Sequence, residues 1–381
     1  MPWCSFGDSE TFDSRRDWLP NLKPREKNKT IFKTVFCPMA RSILDPRLCF
    51  ACESVDEVAN VTRELQLLYF YCDNTVEIKE SRTQKTFLRR IECSTLSRSQ
   101  FFVGGSVVIF GRVIRLKSYG DEVTRQLCEK AGDSTVVVIP LARGVNFGSD
   151  LAILTEECGF TIRVMETLTL LPNDVAQLGL PASYANAPVV AIQVVRENPF
   201  EYIKRFIARV PTVFATTSME QVRSFERFLT GSAMRSFANP PADISVVLIK
   251  PHIVLSRLGG EVVDVYLRHG LRIAAIRQIA FSAHQVDALL QPYKGVLPTY
   301  SDTVHDTAGV CWAVQLTSTV GSGAFDLVRE VSGPFDPAVA KALYPDSVRA
   351  QFGKTKSQNA VHCADLLEDC AVYTEALFAQ K

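Results

Sequence analysis

The chain repeats itself, and this repetition constrains its fold more than any other feature. Thr135-Val-Val-Val-Ile139 matches Ser245-Val-Val-Leu-Ile249, Gly159-Phe-Thr-Ile162 matches Gly270-Leu-Arg-Ile273, and Ala191-Ile-Gln-Val194 matches Ala313-Val-Gln-Leu316. Phe200 and Lys204 fall opposite Phe325 and Arg329. Each copy alternates strand and helix signals, which predicts an α/β sandwich per copy. In the second copy the first helix shows as Val262, Val263, Tyr266 and Leu267 on one face, ended by Gly270. The first copy closes on an amphipathic helix with Met219, Val222, Phe225, Phe228 and Leu229 on one stripe.

The remaining segments follow by contrast. Leu65–Tyr71, Thr75–Lys79, Thr86–Arg90 and Ser106–Leu116 are rich in β-branched and aromatic residues, and Asp73-Asn74 and Gly104-Gly105 punctuate them. They predict a small β-rich domain, led out by a helix over Asp121–Lys130. Before it, Pro20, Pro24, Pro38 and Pro46 discourage long helices, and Trp3, Trp18, Phe32 and Phe36 suit an extended arm that orders against a partner. The expected organisation is an arm at 1–60, a β-rich domain at 61–132, a first copy at 133–238 and a second at 244–381. The stiff stretch Asn239-Pro-Pro-Ala-Asp243 joins the copies.

Composition excludes several function classes. With 381 residues and a net charge of +1, the chain holds several cores but carries no charge block to attract nucleic acid or anionic lipid. No apolar run approaches the roughly 20 residues of a membrane span, and Met1–Glu10 lacks the pattern of a signal peptide, so a cytoplasmic location is expected. Eleven cysteines, an odd number in no regular frame, read as reduced thiols. Cys49-Phe-Ala-Cys52 is the one CxxC, and no second pair completes a zinc site.

Chemistry concentrates in the second copy. All five histidines, from His252 to His362, lie there. His362 follows a run carrying Arg349, Lys354, Lys356 and Asn359, and a neutral imidazole can attack a γ-phosphoryl group when cations hold the phosphate oxygens. The bland alternative is a structural imidazole beside a basic loop. If histidine is the nucleophile, the first copy has none. Gly353-Lys354-Thr355 imitates the end of a P-loop, but Val348 stands where its leading glycine belongs. His284 and His305 read as surface residues.

Taken together, the duplication, Ile249-Lys-Pro-His252, Asn359-Ala-Val-His362, Tyr293-Lys-Gly295, Gly333-Pro-Phe-Asp-Pro337 and Arg349-Ala-Gln-Phe-Gly-Lys-Thr-Lys356 resemble the nucleoside diphosphate kinases, specifically the seventh type. The β-rich stretch, with Phe102-Val-Gly-Gly105 and Tyr119-Gly-Asp121, is similar to that type's DM-ten domain. The resemblance, over roughly residues 60–381, implies a PH-like β domain followed by two ferredoxin-like α/β domains. It also implies roles: His362 carries the phosphoryl group, Lys250, Arg329 and Arg349 neutralise phosphate, and Asn359 binds ribose, with ATP or GTP and Mg as the cofactor set. Seventh-type members are microtubule inner proteins, so the resemblance further implies tubulin and other axonemal proteins as partners, in a cilium or flagellum. Against the family motif Asn-x-x-His-Gly-Ser-Asp, Cys363-Ala364-Asp365 follows the histidine here, so the serine hydroxyl is missing. Tyr373 stands near the place of the orienting glutamate, leaving Glu368 or Glu375 to substitute; Phe335 replaces a phosphate-contacting threonine, and the base-stacking aromatic near Leu290 is absent. Pro140 occupies the position of the kinase lysine in the first copy. Three readings result: a microtubule scaffold that kept the fold, a working kinase using His362, or a nucleotide-responsive scaffold whose second copy binds nucleotide without turnover.

Overall fold

Period-two alternation in the β-rich stretch sends every second side chain to one face, and those residues bury together. The computed structural model describes residues 46–56, 59, 61–94, 96, 98–130, 134–196, 198–231, 243–319 and 323–378. Strands β1 (Arg47–Asp56), β2 (Val61–Phe70), β3 (Thr75–Glu80), β4 (Thr86–Glu92), β5 (Ser106–Ile109) and β6 (Arg112–Tyr119) form an antiparallel sheet in the order β4-β3-β2-β1-β6-β5. Phe50, Leu65, Leu67, Tyr69, Ile78, Ile114 and Leu116 make its core, and Phe101 stacks on Tyr69 at 4.1 Å between ring centroids. Helix Glu122–Lys130 follows, as expected.

Two sequence expectations change here. Residues 47–56, expected within the arm, form β1, which pairs with both β2 and β6 and is therefore interior to the sheet. Ser106–Leu116 is not one strand: Phe110 (φ 48°) and Gly111 (φ 74°) make a two-residue hairpin turn in the left-handed region. Cys49 and Cys52, three apart on a strand, face opposite sides; Cys52 packs with Phe50 and Cys49 with Leu68 and Phe70. They therefore cannot converge on one ion. The arm up to residue 45 and the joint up to residue 242 lie outside the described residues.

The two copies have the same topology. In the first, β7 (Ser134–Pro140), β8 (Thr161–Thr169), β9 (Pro188–Val195) and β10 (Phe214–Ala215) are ordered β10-β7-β9-β8. In the second, β11 (Ser245–Ile249), β12 (Leu271–Phe281), β13 (Gly309–Ser318) and β14 (Val361–Cys363) are ordered β14-β11-β13-β12. Both are the ferredoxin-like order, fourth-first-third-second. The central strands are apolar on both faces because helices cover them, as helix Gly259–Arg268 does by burying Val262, Val263, Tyr266 and Leu267.

The copies meet through β8 and β12, which fuses the two sheets into one of eight strands. Arg277 opposes Glu166 in register and pairs with it at 3.2 Å. Thr167 Oγ1 donates to the Ile276 carbonyl (2.9 Å) and accepts from the Ile276 amide (2.7 Å). Beside this seam, helix Phe147–Ala152 crosses helix Gly259–Arg268 at a pair of glycines. A Cβ on Gly260 would lie 2.4 Å from the Ala152 amide nitrogen, and one on Gly148 would lie 2.6 Å from that of Asp264. The β domain touches the second copy where the Ala283 amide donates to the Gly111 carbonyl (2.7 Å).

Gly260→Ala tests this crossing. Helix propensity alone favours alanine by about 0.5–1 kcal/mol, but the clash is with backbone that cannot swing aside, and overpacking of this kind costs about 1–3 kcal/mol. The expected outcome is a lower denaturant midpoint in equilibrium unfolding.

Candidate functional site

Strand β11 ends at Ile249, and the chain turns at once into the short helix Pro251–Leu255, so Lys250 is held at the junction. β14 pairs with the same strand end, placing His362 opposite Leu248 and Val361 opposite Ile249. Just before it, Ala360 adopts a left-handed φ of 72°, a strained backbone for a residue with a Cβ. That kink brings Asn359 inward while sending His362 along the sheet edge. Helix Val348–Phe352 supplies Arg349, and helix Ala324–Ser332 supplies Arg329.

All five residues singled out in the sequence line one cavity of about 480 Å³: Lys250, Arg329, Arg349, Asn359 and His362, with Tyr293 opposite. This volume suits a small-molecule ligand. The Lys250 side chain is buried and donates to the Ser357 carbonyl at 2.7 Å. Burial, and then Arg349, push its ammonium down to about 7. Arg349 donates to the carbonyls of Gly333 (2.7 Å) and Val361 (3.2 Å), and its Nε is buried without a partner. Asn359 donates through Nδ2 to the Phe335 carbonyl (3.0 Å) and leaves Oδ1 buried and unpaired. Arg329 pairs with Asp365, through both its carboxylate and its carbonyl.

Buried orphan atoms of this kind cost about 1–3 kcal/mol each when nothing meets them. On side chains that line a cavity, they fit a polar ligand rich in acceptor oxygens with at least one donor hydroxyl, as a nucleotide is. Three basic side chains face a single lining carboxylate, Asp365, which Arg329 already engages. Among the described residues no cluster of three or more His, Cys, Asp or Glu could hold a metal.

His362 is held by a partner of a different kind from the two acids weighed in the sequence. Its Nε2 lies 2.8 Å from the Tyr373 hydroxyl, while Glu368 and Glu375 are exposed. Tyr293 sets its ring edge-on to the imidazole at 5.6 Å. Burial, followed by Lys250 and Arg349, drives the His362 imidazole down to about 3, so the ring is neutral at physiological pH. Cys363 sits beside Arg349, with Sγ 3.8 Å from the guanidinium. Phe335 and Leu290 both line the cavity, the first through a carbonyl that serves Asn359.

Register shows what became of the first copy. Val138 opposes Phe214 in the same way that Leu248 opposes His362, so a phenylalanine stands in the position of the histidine. Phe225 packs on Phe214 at 5.9 Å, as Tyr373 does on His362 at 5.4 Å, and both pairs are eleven residues apart. Pro140 ends β7 where Lys250 follows β11. The sequence identified the proline. It did not yield Phe214, because β10 is only two residues long and its alignment depends on strand pairing.

Residues 243–381 match the family described as Nucleoside diphosphate kinase. A nucleoside diphosphate kinase from a Nitratiruptor species is 33% identical over 135 residues, 35% of this chain and 93% of that protein. The chain belongs to the nucleoside diphosphate kinase family. Similarity extends well beyond one copy: Nucleoside diphosphate kinase homolog 7 of Rattus norvegicus is 29% identical over 371 residues, covering 87% of this chain and 93% of that protein. As nucleoside diphosphate kinase folds, the copies differ in what they retain. The second has an imidazole within a cationic cavity; the first has the fold with an apolar pair in its place.

The depressed histidines set an acid limit on stability. His362 falls to about 3 and His252, desolvated in the same way, to about 4, whereas both titrate near 6.5 in the unfolded chain. Their neutral forms support the fold fully above pH 6.5, and that contribution is lost as pH drops from there through 4 and 3. Each excess proton bound by the unfolded chain gives a slope of up to about 1.4 kcal/mol per pH unit. Urea unfolding between pH 7 and 5 should show stability falling on acidification, with a shallower slope in His362→Gln.

Proposed function

We propose that this protein is a scaffold of ciliary and flagellar doublet microtubules, a microtubule inner protein built on duplicated nucleoside diphosphate kinase folds. In this reading its second copy holds a nucleoside triphosphate without efficient turnover. One observation carries the proposal: the strand position that holds His362 in the second copy holds Phe214 in the first, and the ring packed on it eleven residues later is Tyr373 in the one and Phe225 in the other. A phenyl ring has no lone pair to attack phosphorus. A phenol cannot balance the charge that a phosphorylated imidazole develops as a carboxylate can, and Lys250 and Arg349 disfavour that charge further. Meanwhile the seam joining the copies is fully built, which suits selection for shape over chemistry. Partners would be tubulin and neighbouring axonemal proteins, with the arm adding contacts. No described helix is long and apolar enough to cross a membrane.

A second reading has its own support. The unpaired Arg349 Nε and Asn359 Oδ1 are what a working site waiting for nucleotide leaves open, and phosphotransfer through His362 is then the activity.

Two measurements on the full chain separate the readings. The scaffold predicts co-sedimentation with doublet microtubules, unaltered by His362→Ala, and little acid-labile label from γ-labelled nucleoside triphosphate. Rapid nucleotide exchange abolished by His362→Ala, together with no microtubule binding, would overturn it.

A further inference from the structure

Nε2 of His362 and the Tyr373 hydroxyl are 2.8 Å apart, and that bond decides which ring nitrogen carries the proton. A neutral imidazole has one N–H and one bare nitrogen. The bare nitrogen is a much stronger acceptor than a phenol oxygen, whose lone pair is delocalised into its ring, and the phenol O–H is a good donor. Burial keeps Tyr373 protonated by raising its phenol above the ordinary value. Burial, and after it Lys250 and Arg349, opposes a second proton on the imidazole, so the doubly protonated ring, which would donate from both nitrogens, is unavailable at neutral pH.

We infer that Tyr373 donates to Nε2 of His362, holds the imidazole proton on Nδ1, and thereby keeps the ring from accepting a phosphoryl group. This rests on the reading that the second-copy cavity takes a nucleoside triphosphate. Both routes of attack are closed by the one contact. Nε2 is covered by the tyrosine hydroxyl, and Nδ1 has its lone pair tied up in an N–H bond. Phosphotransfer requires a new N–P bond as the bridging P–O bond breaks and the nucleoside diphosphate leaves with the electron pair, so a protonated Nδ1 cannot begin it. A carboxylate at position 373 reverses the arrangement. It can only accept, so Nε2 keeps the proton, Nδ1 is left bare, and the charge formed on the phosphorylated ring is shared with the acid.

Tyr373 is thus a positioning residue that sets the tautomer. Its position supports this: the matching pair in the first copy, Phe214 and Phe225, has lost both members together. Packing alone does not explain a hydroxyl here, since phenylalanine fills the equivalent position there.

The decisive measurement is nitrogen NMR of the full chain with ¹⁵N-labelled histidine, with the His362 signal assigned by its loss in His362→Gln. The expected result is a proton on Nδ1 and a bare Nε2 at pH 7. A proton on Nε2 in the native protein overturns the inference outright, whether or not any variant folds. In Tyr373→Phe, which keeps the ring but removes the donor, the proton should distribute over both nitrogens; an unchanged Nδ1–H signal would show that the hydroxyl does not set it. Tyr373→Glu should move the proton to Nε2 and raise acid-labile labelling from γ-labelled GTP at least tenfold, with the gain lost in the double variant with His362→Ala. A folded Tyr373→Glu with the proton still on Nδ1 also refutes it. Equilibrium dialysis of the native chain with GTP tests the nucleotide reading separately: no binding there removes the ligand but leaves the tautomer result standing on its own.

Discussion

Everything in the second half of this molecule is built outward from the antiparallel contact of β8 with β12. Two ferredoxin-like units each end in an exposed edge strand, and an unpaired edge invites association. Joining the two edges removes both and fuses the sheets. The seam is short in backbone pairing, so side chains complete it: Thr167 makes both hydrogen bonds a backbone partner would have made to Ile276, and Arg277 meets Glu166 across it. The paired glycines 148 and 260 let the covering helices approach until their backbones touch. A duplicated unit thereby becomes a pseudo-dimer within one chain, and the interface survives whatever happens to either cavity.

That independence explains how the two cavities diverged. In the second copy, Lys250 and Arg349 are desolvated cations beside a neutral imidazole, an arrangement that needs anionic oxygens to be comfortable. In the first copy, Pro140 and Phe214 stand in place of the charge and the nucleophile, and Phe214 packs on Phe225. Both solutions leave β7 and β11 equally apolar and equally buried. Loss of chemistry therefore carried no penalty in the sheet.

Much of this was legible in the chain because repetition is a one-dimensional signal. The matched segments became β7 with β11, β8 with β12, and β9 with β13, and the stripe of Val262, Val263, Tyr266 and Leu267 became a buried helix face. Failures occurred where a local signal was weak or misleading. Phe110 is no ordinary turn residue, so the break between β5 and β6 was hidden; Pro46 suggested an irregular arm, yet β1 begins one residue later because its apolar face is captured between β2 and β6.

By itself the sequence determined that there are two α/β copies after a β-rich domain, and that the histidine, lysine, arginines and asparagine of one phosphate-type site all lie in the second. Periodicity and residue type suffice for that, since both are properties of the chain read in order. Only the tertiary structure decided that β8 and β12 join, that Phe214 stands where His362 does, and that Tyr373, and not a glutamate, meets the imidazole. Those outcomes depend on strand register and on which of several nearby side chains reaches a given atom, and neither is written in spacing along the backbone.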